Sequence, residues 1–230
     1  MPAARSAFFA SALIALALAT NVAAADEVTR SRSFKATEIS SLALRSGVGA
    51  VRIEQGTGDT LEVQVTIKPK RTTGIFSSLP DVKNLDMSAT TRGDQLTLEV
   101  DAKNIEERWL LRLPKKTLSA IEVKAGVGDV KVTAPAKRIE VDLGVGDADI
   151  DVQLGAITLQ VGTGDASIRT PRANAGTIDG KTGVGGVSLK GLDGTVKGSA
   201  VGGSVSGQGA GQQPIEARVG VGDLDIVLSD

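Results

Sequence analysis

The chain has 230 residues with 26 basic and 27 acidic side chains, so its formal net charge of −1 gives no electrostatic footprint for nucleic-acid binding. It contains no cysteine, which excludes disulfides, thiolate metal sites and a lipid-modified cysteine. It also lacks histidine and tyrosine, so the commonest general base is missing and the core has to be built from aliphatic side chains.

The first 25 residues have the pattern of a secretory signal peptide. Arg5 precedes an apolar run over residues 8–19, and three alanines end at Ala25, directly before Asp26. The alternative is an uncleaved membrane anchor, but the apolar run is too short to cross a bilayer. We therefore expect cleavage after Ala25 and an exported protein that is periplasmic, secreted or located at the cell surface.

Residues 26–54 are expected to form the N-terminal strands and a first coil. Residues 55–120 are an insert with three strand-like runs, 61–67, 96–100 and 109–113, and a long polar loop over 69–94. We predict that the insert is an antiparallel β-meander. It would leave the stack after the first coil, return to the second, and cap the exposed edge of the sheet.

Residues 121–230 carry a repeat of about 18 residues. Its marker is Gly-Val-Gly-Asp, with a strand-like alternation of apolar residues before and after it. The copies begin at Gly126, Gly144, Gly162, Gly183, Ala200 and Gly220, and an isolated early copy begins at Gly47. The alternation slips by one residue at the Gly-Asp step, which indicates a corner or bulge where glycine is required.

One such unit cannot bury its own apolar face, and stacking the units in register solves this. Ile121, Ile139 and Ile157 would then form one inward ladder, while Val132, Ile150 and Ile168 would form another. The sequence therefore predicts an all-β fold, a parallel β-solenoid with two or three short faces per coil. An antiparallel sandwich or hairpin array is the alternative, since glycine corners would serve it as well.

The last predicted strand lies within a few residues of Asp230, so we expect no comparable cap on the final coil. Asp225, Ser229 and Asp230 are expected to deter edge pairing there, and end-to-end self-association is the alternative.

Asp129, Asp147 and Asp165 would lie above one another in adjacent coils. They are the candidate metal ligands, because calcium takes several carboxylate and carbonyl oxygens. The structural alternative is that each aspartate caps backbone N–H groups at its corner, as Asp does in turns. The calcium-binding nonapeptide motif is not matched, because here the aspartate directly follows the second glycine.

Two groups of residues in the insert are candidate partner-binding residues. An apolar cluster on a polar loop often marks an interaction site, and Ile75, Phe76 and Leu79 form one, although they could also fold back over the cap. The second group is Arg108, Trp109 and Arg112, which could contact a sugar or a protein. The alternative for Trp109 is burial, because it alternates with Leu111 and Leu113.

The recurring Gly-Val-Gly-Asp unit, together with the strand that ends in Leu113-Pro114, resembles the bacterial putative-adhesin family of β-strand-repeat proteins. The resemblance implies an exported structural or adhesive module without catalytic residues or cofactors. Its partner would be a protein or glycan of the cell envelope. A cation- or small-ligand-binding protein that uses the aspartates is the alternative, and a solenoid enzyme acting on glycans is a third hypothesis.

Overall fold

The computed structural model describes residues 27–70, 80–152, 155–170, 177–192, 194–200, 205–208 and 213–228. Within these ranges the chain is almost entirely β-strand, apart from a 3-10 turn at Ala36–Glu38. The strands form two sheets that face each other across one apolar core. The all-β prediction is therefore confirmed. The predicted signal peptide lies outside the described residues.

The two sheets share β2 (Ser41–Gln55), which bends at its glycines and runs through both. Sheet I also contains β4 (Ser88–Arg92), β5 (Gln95–Glu99), β7 (Ala120–Val127), β9 (Arg138–Val145), β11 (Ala156–Thr163), β13 (Ile178–Val184), β15 (Gly194–Ala200) and β17 (Gln213–Val221). Sheet II also contains β1 (Val28–Lys35), β3 (Thr60–Pro69), β6 (Ile105–Leu113), β8 (Val130–Val132), β10 (Ala148–Asp151), β12 (Ala166–Arg169), β14 (Val187–Leu192), β16 (Val205–Gln208) and β18 (Leu224–Leu228).

Each coil has two arms, one in each sheet, and neighbouring coils pair in parallel. Ile139 lies between Ile121 and Ile157 in sheet I, and all three side chains are at most 1% exposed. Ile150 lies between Val132 and Ile168 in sheet II, and these three are fully buried. Residues 18 positions apart are therefore neighbours in space, which confirms the parallel solenoid.

The corners between the arms require glycine for two reasons. Gly128, Gly146 and Gly164 have φ values of +131°, +130° and +133°, a region that side chains other than glycine rarely adopt. A Cβ atom on Gly128 would also overlap the carbonyl oxygen of Gly49 in the preceding coil. The backbone can therefore turn and still keep the hydrogen-bonding distance between coils.

The insert forms the cap, but it is only partly the antiparallel meander that the sequence predicts. β3 pairs antiparallel with β1 and β6, and β4 pairs antiparallel with β5. However, β5 and β6 both run parallel to β2. Together they make one more coil-like layer before the first coil. The reason is that Leu96 and Leu98 continue the inward ladder of Leu42 and Leu44.

The order of the last coils differs from the order in the chain. β17 and β18 pair with β13 and β14 on one side and with β15 and β16 on the other. The C-terminal coil therefore lies inside the stack, and β15 with β16 forms its last layer. The expectation that Asp225 protects the end of the stack was wrong, because the strand that carries it is paired on both edges. Ser229 and Asp230 lie outside the described residues.

Candidate functional site

The corner aspartates cap the backbone of the next coil. An Oδ1 atom of Asp129 accepts a hydrogen bond from the Asp147 amide at 3.4 Å. Asp147 does the same for the Asp165 amide at 3.0 Å, and Asp165 for the Gly186 amide at 2.7 Å. Each of these carboxylates therefore has one oxygen committed to an N–H group, which is the structural role that the sequence offered as the alternative.

These aspartates, with Asp223 two layers further along, form the aspartate row on one narrow edge of the solenoid. All four are exposed. Across the described ranges, no group of three or more Asp and Glu residues is arranged to hold a metal ion. Asp129, Asp147 and Asp165 therefore cap the backbone of the next coil, and their role as metal ligands stays a prediction.

The same edge carries a row of apolar side chains that belongs to no part of the core. The central residues of the Gly-Val-Gly motifs are in register from coil to coil, and we call them the valine row: Val48, Val127, Val145, Thr163, Val184 and Val221. Val127, Val145, Val184 and Val221 are 45%, 47%, 50% and 56% exposed. The valine row is separated from the aspartate row by one row of glycines.

Trp109 packs inside the cap and does not face a partner. It is 2% exposed, and its Nε1–H group donates to Glu107 Oε2 at 2.6 Å. Trp109 was predicted as a partner-binding residue together with Arg108 and Arg112, but its side chain takes the buried position that was the alternative. Trp109 points inward because it shares the buried side of β6 with Leu111 and Leu113.

Glu107 is a buried carboxyl group at the cap that was not predicted from the sequence. It is 2% exposed, and Ser46 Oγ–H and Gly47 N–H also donate to it, at 3.1 and 3.3 Å. Burial raises the pKa of Glu107, while the hydrogen bonds from Trp109, Gly47 and Ser46 oppose this change. A glutamate on the apolar side of an alternating strand was the available signal.

Arg108 and Arg112 lie on the outer face of sheet II, where both are engaged in ion pairs. Arg108 contacts Glu106 at 3.3 Å and Arg112 contacts Glu54 at 3.0 Å. The hydrogen bond from Arg112, supported by Arg52, holds the pKa of Glu54 below its usual range. Arg112 also lines an open groove of about 410 Å³ that crosses β1, β3 and β6, together with Ser31, Ser33, Glu62, Gln64 and Leu110.

Ile75, Phe76 and Leu79 lie outside the described residues. The segment that follows them packs against the cap, because Val82 and Met87 are buried at 1% and 2%. Arg30 donates to the carbonyl oxygens of Lys83 and Leu85, which ties the segment to β1. These contacts hold residues 82–87 against β1 and the core of the cap.

The fold and the edge described above define a class: a two-faced parallel β-solenoid whose conspicuous surfaces are periodic rows of side chains. The chain belongs to the family described as the N-terminal domain of toast_rack, DUF2154, whose model matches residues 21–155. The match includes the cap and the first regular coils. No curated protein matches the chain in a comparison of sequences.

Solved structures of adhesin-like proteins resemble the whole fold distantly. A putative cell adhesion protein from Clostridium sporogenes is 14% identical, with a TM-score of 0.48 over 88% of this chain and 100% of that chain. A putative adhesin from Bacteroides fragilis is 17% identical, with a TM-score of 0.41 over 88% and 97%. Because these identities and TM-scores are low, we infer nothing about binding from these two proteins.

Within the described ranges, no helix has the length and apolar character needed to cross a membrane.

Proposed function

We propose that this protein is an exported, non-enzymatic, adhesin-like module that presents a regular β surface to a protein or glycan of the cell envelope or the extracellular space. The observation that carries the proposal is the exact coil-to-coil register. It arranges exposed side chains in straight rows along the stack. Such rows suit recognition by repeated contacts, whereas catalysis needs polar groups that converge in a cleft.

The arrangement of charges supports the same function. The outer faces carry ion pairs between neighbouring residues, such as Lys131 with Asp149 at 2.9 Å and Lys124 with Glu122 at 2.9 Å. The buried carboxyl group, Glu107, is occupied by hydrogen bonds from Trp109, Ser46 and Gly47. These acidic groups are therefore engaged by partners within the protein, which is compatible with binding through extended surfaces.

The test is a binding measurement with the mature protein, residues 26–230, on isolated bacterial envelope. We expect saturable binding of labelled protein that unlabelled protein displaces. Loss of binding in the variant I75S/F76S/L79S would assign the contact to the loop. Loss of binding in R108S/R112S would assign it to the outer face of sheet II. Binding that never saturates, or that unlabelled protein does not displace, would contradict the function.

Two further measurements address the other hypotheses. Calcium titration by calorimetry, with the melting temperature measured in parallel, examines cation binding by the aspartate row. A lyase assay on acidic polysaccharides examines the enzymatic hypothesis. Heat of calcium binding that disappears in D147N/D165N would replace the adhesin-like function with the cation-binding one.

A further inference from the structure

The valine row exposes apolar surface along one narrow edge of the solenoid. Its four most exposed members, Val127, Val145, Val184 and Val221, leave about half of each side chain in contact with solvent. They belong to different coils and are aligned by the parallel register. Aligned exposed apolar side chains of this kind mark interaction sites more often than scattered ones do.

The valine row is flanked on both sides by glycines, which have no side chains. A glycine precedes each member and another follows it. Side chains cannot replace these glycines, because a Cβ atom on Gly126 or Gly183 would lie 2.5 Å from the carbonyl oxygen of the preceding coil. The edge is therefore a ridge with a shallow groove on each side, and the grooves can receive side chains from a partner.

We propose that this edge docks an amphipathic α-helix of a partner protein, with the helix axis along the stack and with basic residues on one flank. Successive members of the valine row are about 4.8 Å apart. An α-helix repeats its i, i+3 and i+4 stripe about every 5.4 Å, whereas a β-strand repeats one face about every 6.8 Å. The helix matches the spacing more closely, since the two repeats differ by about 0.6 Å per coil, and it stays in register over about three coils.

The charges beside the ridge set the orientation of the helix. On one side lies the aspartate row, with Asp129, Asp147 and Asp165 exposed two residues after their valines. On the other side lies a mainly basic row: Arg45, Lys124, Asp142, Gln160, Lys181 and Arg218. Three of its four cations are paired with neighbouring carboxylates, namely those of Glu122, Asp179 and Glu216. Lys and Arg on the flank that faces the aspartates complement the acidic side, whereas the basic side disfavours them, more weakly because most of its cations are already in ion pairs.

This inference rests on the proposed function and names the surface and the partner chemistry for it. The probe is a synthetic peptide of about 18 residues, made of Leu and Lys in a helical pattern, which spans about 27 Å. Two control peptides separate the alternatives. One has the same composition in a period-two pattern, and the other is a helical peptide of Leu and Glu.

The variants are chosen so that the fold tolerates them. Thr163 already occupies one position of the valine row, so V127T/V145T/V184T keeps a β-branched side chain at each site. We expect it to weaken binding of the helical Leu/Lys peptide by about tenfold or more, because apolar contact is lost. Conversely, T163V fills the gap in the row and is expected to strengthen binding by about fourfold.

Two further variants each remove two negative charges, one pair beside the valine row and one pair away from it. D147N/D165N keeps the Oδ1 acceptors for the next coil but removes two charges, so we expect weaker binding with a smaller dependence on salt. D149N/D151N makes the same charge change on the outer face of sheet II and should leave binding unaltered. Equal effects of the two variants would mean non-specific attraction and would overturn the docking site.

Other results would also overturn the inference. Tighter binding of the period-two peptide would assign the edge to an extended strand, and concentration-dependent dimers lost in V127T/V145T/V184T would assign it to a second copy of this chain. The two proposals remain distinguishable. Envelope binding without peptide binding refutes the helix site alone, whereas peptide binding without envelope binding refutes the adhesin-like function.

Discussion

At the scale of single residues, the corner aspartates show how one side chain links two coils. Asp147 accepts from the amide of Asp165, and its own amide donates to Asp129. An amide left without its acceptor at an exposed corner can bond to water, so each link contributes modestly to stability. An Asp in a turn usually accepts a hydrogen bond from an N–H group of its own segment. Here each aspartate accepts from an N–H group of the next coil.

Asp147→Ala is expected to lower the free energy of unfolding by about 1 kcal/mol, since one amide loses its cap. Chemical denaturation measures this difference. D147N is the matched control and should be nearly neutral, because the amide oxygen replaces the carboxylate oxygen. A loss of similar size in D147N would mean that the charge, and not the hydrogen bond, stabilises the corner.

Gly128→Ala is expected to destabilise the protein by more than about 4 kcal/mol, because the new methyl group would overlap the backbone of the preceding coil. Gly93→Ala is the control. Gly93 also has positive φ, at +62°, but a Cβ atom there meets nothing within 4 Å. Its cost should be about 1 kcal/mol, from the conformation alone. Equal melting temperatures for the two variants would contradict close packing of the corners.

Glu107 is expected to make stability depend on pH. Burial raises the pKa of Glu107 above its usual range, so the contribution of this carboxyl group to stability is complete below the unfolded pKa and declines as pH rises through the folded pKa. The unfolding free energy of the wild type minus that of E107Q should therefore decrease as pH rises from about 4. Denaturation series over this range, with E106Q as the exposed control, measure it. A difference that grows with pH would contradict the effect of burial.

At the scale of elements, the alternation of each arm determines which side chains enter the core. Ile150 is fully buried between Val132 and Ile168, while its neighbour Asp149 points outward and pairs with Lys131. A one-residue change of register would exchange these environments. The buried ladder therefore holds the register, and the exposed ion pairs contribute little.

Ile150→Asp is expected to unfold the protein, because it places a carboxylate without a partner inside the stack. Circular dichroism on heating checks this directly. Asp149→Ala, one position away, should change the free energy of unfolding by no more than about 1 kcal/mol, since the ion pair with Lys131 is exposed. A cooperative melting curve at wild-type temperature for Ile150→Asp would show that the inward ladder is misassigned.

At the scale of the whole molecule, each layer is stabilised by its pairing with the adjacent layers. β15 and β16 pair only with β17 and β18 within the described ranges, although these strands come later in the chain. The last layer therefore depends on the C-terminal coil. Layers such as β7 with β8 and β9 with β10 depend on their own neighbours, as in other repeat proteins.

Removal of residues 213–230 is expected to expose the backbone of β15 and β16 while the central coils remain folded. Hydrogen exchange with mass spectrometry measures this as loss of protection in β15 and β16 and retained protection in β7 to β10. The reason is that the deleted coil lies between β14 and β16. Retained protection of β15 and β16 would mean that these strands can pair directly with β13 and β14.

The sequence by itself predicted the class of fold, the register and the corners. The reason is that similar apolar side chains at a fixed offset of about 18 residues are buried together when the coils stack in parallel. It also contained the capping alternative for the aspartates and the burial alternative for Trp109. Only the tertiary structure decided the order of the last coils, since similar coils can stack in either order with nearly the same contacts. It also decided the exposure of Val127 and Val145 and the burial of Glu107, because these depend on where the backbone turns relative to its neighbours.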